Sequence, residues 1–94
     1  MELKIQKLDE RAKLPVRATP GSAGMDLHAL LDEPLTLAPG ERALVRTGIA
    51  IGLPSPETVG LVFARSGLAV KKGLALSNGV GVIDSDYRGE IRVG

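Results

Sequence analysis

The residues of this chain that are best suited to chemistry lie together in the segment GVIDSDYRGE. Asp84 and Asp86 are two positions apart, so their carboxylates share one face if the segment is extended. Tyr87, the only tyrosine, follows directly, and a glycine stands at either side of the group. Either carboxylate is a candidate general base for the attack of water on a phosphate, with Arg65 or Arg88 supplying positive charge. The competing interpretation is a solvated acidic turn.

A second candidate site is the segment ARSGLA. Arg65, Ser66 and Gly67 offer a guanidinium, a hydroxyl and a flexible backbone at the start of a short helical turn. Together with free backbone N–H groups, they are suitable donors for an oligophosphate. Taken alone, however, the segment is more typical of an ordinary helix cap.

A third candidate lies in GSAGMDLHA, where Asp26 stands among small and apolar residues. Its carboxylate is suited either to holding a hydrated Mg²⁺ or to closing a turn. His28 is the only histidine, which excludes a multi-histidine metal site within one chain and argues against a Ser-His-Asp hydrolase.

Two further segments resemble known binding motifs but do not match them in full. NGVGVID places Gly79 and Gly81 as in a dinucleotide fingerprint, but Asp84 takes the third position and no helix is predicted to follow. DSDYRG resembles a calcium-binding loop, but Arg88 would put a cation among the ligands and the flanking residues are strand-like. We therefore expect neither a dinucleotide nor calcium at this segment.

Composition limits the classes of protein that remain. A chain of 94 residues with 44% hydrophobic and 24% charged residues suits one globular domain, which we place at residues 1–94. The 12 Lys and Arg are balanced by 11 Asp and Glu without a basic block, which argues against stable nucleic-acid binding. There is no cysteine, no apolar run of the ~18 residues that a membrane helix needs and no apolar signal-peptide core. We expect a cytoplasmic protein with no membrane partner.

Prolines and glycines interrupt the chain so often that few windows are long enough for a helix. Alternating or apolar runs between these breaks predict short strands, and Leu68–Lys72 predicts one helical turn with Ser66 as its N-cap. The segment 58–63 is apolar enough to be buried on both faces. The pattern favours an all-β sandwich or distorted jelly roll with at most one short helix. The predicted strands cover residues 3–5, 23–30, 35–37, 42–53, 58–63, 81–83 and 90–93, with a turn at 38–41.

Charged and apolar residues alternate from Glu90 to Val93, and this strand-like pattern continues up to Gly94. An open strand edge there would invite aggregation. We therefore expect either that the domain continues beyond these residues or that another subunit covers this edge.

Taken in order, SAGMDLHA, ARSGLA and NGVGVIDSDYRGE resemble the first three of the five signature motifs of the trimeric dUTPases, the deoxyuridine 5′-triphosphate nucleotidohydrolases. The third motif is the most specific, because it combines Asn, Gly, Ile-Asp and Tyr at fixed separations. The resemblance covers essentially the whole chain and implies a distorted jelly roll that forms a homotrimer with shared active sites. The fourth and fifth motifs do not occur, so we expect residues 1–94 to be a C-terminally incomplete dUTPase-like domain.

The same resemblance implies an enzyme that hydrolyses dUTP to dUMP and pyrophosphate, limiting uracil in DNA and supplying dUMP for dTMP synthesis. Asp84 resembles the carboxylate that activates the water attacking the α-phosphate. Tyr87 resembles the ring that packs against the deoxyribose and leaves no room for a 2′-hydroxyl. The hairpin that reads uracil is represented by Asn78, Gly81, Val82 and Ile83.

The first two motifs supply the remaining site residues implied by the resemblance. Arg65, Ser66 and Gly67 resemble the phosphate-binding segment, and Arg65 is also a candidate to pair with an aspartate of the third motif. Asp26 resembles the aspartate that contacts Mg²⁺ through water, and Arg92 lies where a member of the family can contact the substrate. Two alternatives stay open here: a non-catalytic nucleotide-binding or regulatory module, and a dCTP deaminase-type relative, in which a glutamate base would replace the Ile-Asp pair.

Overall fold

Five short strands and one helix are present in the computed structural model, which describes residues 1–94. In chain order they are β1 (Lys4–Lys7), β2 (Val45–Gly52), β3 (Gly60–Val62), α1 (Ser66–Lys72), β4 (Gly81–Ile83) and β5 (Glu90–Val93). β2 lies between β1 and β5 in a three-stranded antiparallel sheet, while β3 and β4 form a separate antiparallel pair. The strands and the single helix confirm the predicted all-β class.

The core is built around the central strand β2, which is also the longest strand, as its apolar pattern predicts. Ile49 and Ile51 of this strand pack with Ala12 and Ile91 in a small apolar cluster. Only 7 of the 94 residues are buried, so each contact in this cluster carries a large share of the stability. Partly buried side chains pack around it: Leu3, Ile5, Leu27, Leu53 and Ile83.

A β-bulge interrupts the pairing of β2 with β5. Between Arg46 and Ala50 the register shifts, so that three residues of β2 face Ile91 alone. The Thr47 hydroxyl donates to the Ile91 carbonyl at 2.7 Å and thereby satisfies an acceptor that the bulge would otherwise leave buried and unpaired. Bulges of this kind bend a strand and redirect its side chains.

Gly48 lies at the centre of the bulge, with a φ of +69°. A Cβ at this position would lie 2.8 Å from the Ala12 Cβ and 2.9 Å from the Leu30 Cδ2, closer than carbon atoms pack. The Gly48 N–H donates to the Glu90 carboxylate at 2.8 Å, and its carbonyl accepts the Leu8 N–H at 2.7 Å. The bulge therefore requires glycine and fastens both the N-terminal segment and β5 to the central strand.

An ion-paired cluster holds the N-terminal segment beside this bulge. Asp9 accepts hydrogen bonds from the backbone N–H of Arg11 at 2.9 Å and from its guanidinium at 3.0 and 3.1 Å. The same guanidinium contacts Asp32 at 2.6 Å. The side-chain hydrogen bonds from Arg11 lower the pKa of Asp9 to about 2. Its carboxylate therefore stabilises the fold when ionised.

We expect this cluster to make the free energy of unfolding depend on pH in the acid range. The contribution of Asp9 is fully present above its unfolded pKa of 3.8 and is lost as the pH falls through about 2. Urea unfolding should therefore show the largest difference between the unmodified chain and Asp9→Asn at neutral pH, with the two converging towards about pH 2. A difference that stays constant over this range would contradict the assignment.

Two of the predicted strands are absent. Residues 23–30 and 35–37 form no strand, and the first of these segments makes only isolated bridges. A strand requires a ladder of hydrogen bonds to a neighbouring strand, whereas residues 23–30 pair with other segments only at Asp26 and Leu30. The two bridges pair Val16 with Asp26 and Leu30 with Arg46.

The helix lies close to its predicted position, but its N-cap is different. Arg65, rather than Ser66, occupies the cap position, and it makes no capping hydrogen bond through its side chain. The helix ends at Gly73, which has a φ of +67° and donates its N–H to the Ala69 carbonyl. Lys71 in the last turn adds a favourable interaction with the helix dipole.

The prediction that segment 58–63 is buried on both faces is wrong. Leu61 and Phe63 are 52% and 61% exposed, because β3 pairs only with β4 and no layer covers its outer face.

The chain exposes 7105 Å², against roughly 5,200 Å² expected for a folded protein of its mass. Many large apolar side chains contribute to this exposed area, among them Leu44, Val70 and Val82. No helix of the structure is long and apolar enough to cross a membrane.

Candidate active site

A cleft of about 250 Å³ brings most of the third-motif residues together. It lies between β4 with its preceding turn and β5, and Glu90 forms part of its wall. Every predicted site residue from the third motif onwards lines this cleft: Asn78, Gly81, Val82, Ile83, Asp84, Tyr87 and Arg92.

A tight turn places Asn78 at one side of the cleft. The next residue, Gly79, has a φ of +76°, a conformation that favours glycine, and its N–H donates to the Leu76 carbonyl at 3.0 Å. The Ser77 N–H donates to the Gly94 carbonyl at 2.9 Å, which fastens the turn to the end of β5. The turn therefore presents the Asn78 side chain beside β4.

A second turn separates the two candidate carboxylates. The Tyr87 N–H donates to the Asp84 carbonyl at 3.1 Å, and Arg88 closes the turn by donating to the Ser85 and Tyr87 carbonyls. Asp84 lines the cleft, whereas the exposed Asp86 does not. Of the two candidates for a general base, the structure thus favours Asp84, and the guanidinium of Arg88 binds backbone oxygens rather than either carboxylate.

The Tyr87 ring folds back over the turn. Its hydroxyl donates to the Glu90 carbonyl at 2.7 Å, and a Cβ on Gly89 would lie 2.6 Å from that hydroxyl oxygen. The residue is 44% exposed and lines the cleft, so part of it remains accessible. The ring occupies this position because residue 89 has no side chain.

We expect Gly89→Ala to displace the Tyr87 ring without unfolding the chain, since the overlapping atoms are at the mobile end of a side chain. Tyr87 is the only tyrosine and there is no tryptophan, so intrinsic fluorescence reports on this ring alone. Acrylamide quenching should increase in Gly89→Ala and stay unchanged in Gly21→Ala, where an added Cβ meets nothing within 4 Å. Equal quenching in both variants would contradict the packing described here.

Most residues of the first two motifs, including Asp26 and Arg65, face a different groove of about 680 Å³ that is mostly apolar. Within it Arg65 Nη1 contacts Asp26 Oδ2 at 3.1 Å, so Arg65 pairs with Asp26 and not with an aspartate of the third motif. Ser66 and Gly67 begin α1 beside Arg65 but do not line the groove. The two cavities adjoin, because the following residues line both: Val62, Leu76 and Val93.

The donor set of this groove limits how a metal can be held. Asp26 is its only acidic residue, and the chain contains no group of three or more His, Asp or Glu side chains arranged to bind a metal. Mg²⁺ commonly keeps several waters and binds through one carboxylate together with substrate phosphates. Asp26 therefore fits a contact through water to a Mg²⁺ that the phosphates hold.

Glu90 lines the cleft and pairs with Arg46, and neither residue was predicted from the sequence as part of the site. Burial by itself would raise the pKa of Glu90, but the hydrogen bonds from the Gly48 N–H and the Arg46 guanidinium outweigh it, so the pKa is lowered. Arg46 Nε lies 3.1 Å from the carboxylate. This pair is separated by 44 positions, so only the register of β2 against β5 could have revealed it.

Comparison with known proteins identifies the family. A model of the dUTPase family matches residues 10–94, which is most of the chain. The chain belongs to the dUTPase family. It is 62% identical over 85 residues to a deoxyuridine 5′-triphosphate nucleotidohydrolase of Desulfitobacterium hafniense, covering 90% of this chain and 56% of that protein. A protein of the same name from Paraburkholderia xenovorans is 54% identical over 93 residues, covering 99% of this chain and 63% of that one.

Solved dUTPase structures agree with the fold. A mutant dUTPase from phage phi11 of S. aureus, studied for its coordination of a structural Mg(II) ion, superposes with a TM-score of 0.85 at 32% identity, covering 99% of this chain and 57% of that one. A Staphylococcus bacteriophage 80alpha dUTPase mutant with dUpNHpp gives a TM-score of 0.81 at 29% identity, covering 98% and 52%. These matches confirm the predicted fold class. The chain spans 56% of the length of the Desulfitobacterium hafniense protein and 63% of that of the Paraburkholderia xenovorans protein.

Proposed function

We propose that this chain forms part of a dUTP diphosphatase, which hydrolyses dUTP to dUMP and pyrophosphate. The observation that carries the proposal is the cleft in which Asp84, Tyr87 and β4 meet. Its relatives are named deoxyuridine 5′-triphosphate nucleotidohydrolases, which favours this reaction over a dCTP deaminase. The reaction would limit uracil in DNA and supply dUMP for dTMP synthesis, in the cytoplasm.

Uracil recognition is assigned to β4 and the turn before it. β4 pairs with β3 along one edge only, so the backbone groups that alternate residues of β4 direct towards the other edge have no strand partner. Uracil offers two carbonyl acceptors and one N–H donor, which free backbone groups and the Asn78 amide can match. Cytosine reverses this pattern of hydrogen-bond donors and acceptors at two positions. Binding cytosine would therefore leave buried polar groups of the protein without a hydrogen-bond partner. The tight turn at Gly79, followed by Gly81 at the start of β4, also leaves little space for the methyl group of thymine.

The Tyr87 ring is the proposed wall against the sugar. Because its hydroxyl is held by the Glu90 carbonyl, the ring presents one face to the cleft at a fixed position. A deoxyribose can pack against this face, whereas the 2′-hydroxyl of a ribose would overlap with it. Rejection by a steric wall can separate dUTP from UTP although the bases are identical.

In the proposed mechanism Asp84 accepts a proton from the water that attacks the α-phosphate, and pyrophosphate leaves as the P–O bond to the β-phosphate breaks. Arg65, Ser66 and Gly67 donate to the phosphate chain, and Arg92 contacts the nucleotide from β5. Mg²⁺, held by the phosphates and contacted through water by Asp26, would offset the negative charge of the triphosphate. A fully assembled site would therefore need the cleft and the Arg65 segment to act on one nucleotide.

We further propose that the functional assembly is a homotrimer in which subunits share active sites. Asp84 and Arg65 line different cavities of the single chain, which supports a site completed by a neighbouring subunit. The large exposed apolar area, including Leu61 and Phe63, is consistent with surfaces that are covered on assembly.

The position of water attack tests this proposal. Hydrolysis of dUTP with Mg²⁺ in ¹⁸O-labelled water should place the label in dUMP and leave pyrophosphate unlabelled. Label in pyrophosphate would show attack on the β-phosphate and contradict the mechanism. Binding of dUTP without any release of dUMP would contradict the enzymatic proposal and favour a non-catalytic nucleotide-binding module.

A further inference from the structure

Glu90 is a carboxylate built into the wall of a cleft that would bind an anion. Its side chain is only 10% exposed, although it lines the cleft. A buried carboxylate is costly unless its oxygens are paired, so such a residue is expected to have strong partners. An acidic group facing a nucleotide triphosphate would also repel the ligand unless its charge were offset.

Three donors from two strands satisfy this carboxylate. The Gly48 N–H donates at 2.8 Å and Arg46 Nε contacts both oxygens at 3.1 and 3.2 Å. Arg92 Nε approaches from the same strand as Glu90 at 3.4 Å. The two guanidinium groups offset the negative charge, and the Gly48 N–H ties the carboxylate to the bulge of β2. The side chain therefore fixes where β5 begins relative to the central strand.

The backbone of the same residue holds the ring of the cleft. The Glu90 carbonyl accepts the Tyr87 hydroxyl at 2.7 Å, so the ring is attached to the first residue of β5. A displacement of that residue would carry the carbonyl, and with it the ring, to a new position. The bulge at Gly48 is thereby connected to Tyr87 through one residue.

We propose that Glu90 is a positioning residue that sets the location of the Tyr87 ring, and through it the preference for deoxyribose over ribose. The proposal rests on the proposed function, because the position of Tyr87 affects selectivity only if the cleft binds a deoxynucleotide. Glu90 itself acts through Tyr87 and not on the reacting atoms.

Two measurements on Glu90→Gln test this role. Glutamine keeps an acceptor for the Gly48 N–H but removes the charge that pairs with Arg46, so we expect the chain to fold with a loosened start of β5. Acrylamide quenching of Tyr87 fluorescence, measured without nucleotide, should increase. The affinity for dUpNHpp relative to its ribonucleotide counterpart should fall about tenfold, the size of a coupling within one hydrogen-bond network.

Matched variants separate this role from a loss of stability. Glu41→Gln removes the charge of a carboxylate in the turn at 38–41, which lines neither cavity, and should leave both readouts unchanged. If Glu90→Gln does not fold, Arg46→Lys, at a half-exposed position, weakens the same contact and should change both readouts in the same direction.

The positioning role of Glu90, its link to sugar selectivity and the proposed function are tested by three different outcomes. Unchanged quenching in the folded variant would overturn the positioning role, whatever the nucleotides do. Increased quenching with an unchanged preference would overturn the link between Glu90 and selectivity. Failure of the unmodified chain to bind dUpNHpp would overturn the proposed function instead.

Discussion

Substitution of Gly48 by alanine is expected to lower the free energy of unfolding by about 2–4 kcal/mol, a large share of the stability of so small a core. Two costs add at this position. The backbone has a φ of +69°, which disfavours any residue with a Cβ, and that Cβ would lie 2.8 Å from the Ala12 Cβ. The neighbouring Leu30 Cδ2, at 2.9 Å, restricts relief from the other side.

A matched control separates these two costs. Gly40 also has a positive φ, +83°, but an added Cβ would meet nothing within 4 Å. Gly40→Ala should therefore show the backbone cost alone, about 1 kcal/mol, and the difference between the variants should measure the packing at the bulge. Urea unfolding of both variants beside the unmodified chain gives these values. Equal losses in the two variants would contradict the close packing of Gly48.

Substitution of Asp84 by asparagine is expected to reduce kcat for dUTP hydrolysis by about 10²–10⁴-fold, the usual contribution of a general base. Asparagine has nearly the same shape but cannot accept the proton of the attacking water. The KM for dUTP should change little, because the uracil and deoxyribose contacts come from other residues of the cleft. Steady-state pyrophosphate release separates the two constants.

Asp86 provides the matched control for this prediction. It lies two positions from Asp84 and carries the same carboxylate, yet it does not line the cleft. Asp86→Asn should keep activity close to that of the unmodified chain. A large loss in Asp86→Asn together with full activity in Asp84→Asn would reverse the assignment of the base.

The local features of the fold were predictable from the sequence. Strands at Gly81–Ile83 and Glu90–Val93 lie where their alternation predicts them, and the helix after Arg65 lies close to its predicted position. These elements depend on nearby residues, through period-two patterns and glycine breaks. The strands predicted at 23–30 and 35–37 failed, because a strand also needs a partner that local pattern does not reveal.

In the candidate site, too, contacts between nearby residues were predictable from the sequence and long-range contacts were not. The third-motif residues form one cleft because a few turns join them along a short stretch of chain. Arg65 pairs with Asp26, 39 positions away, and Glu90 with Arg46, 44 positions away. Such contacts depend on sheet register and on the bulge at Gly48, and neither is encoded in a local pattern.

The most direct test of the central claim is pyrophosphate release from dUTP with Mg²⁺, measured beside UTP, dTTP and dCTP. We expect release from dUTP with strong discrimination against the other three nucleotides. UTP would be rejected at the Tyr87 ring, and dTTP and dCTP at β4 and the turn before it. Equal release from UTP and dUTP, or no release from a chain shown to be folded and trimeric, would contradict the central claim.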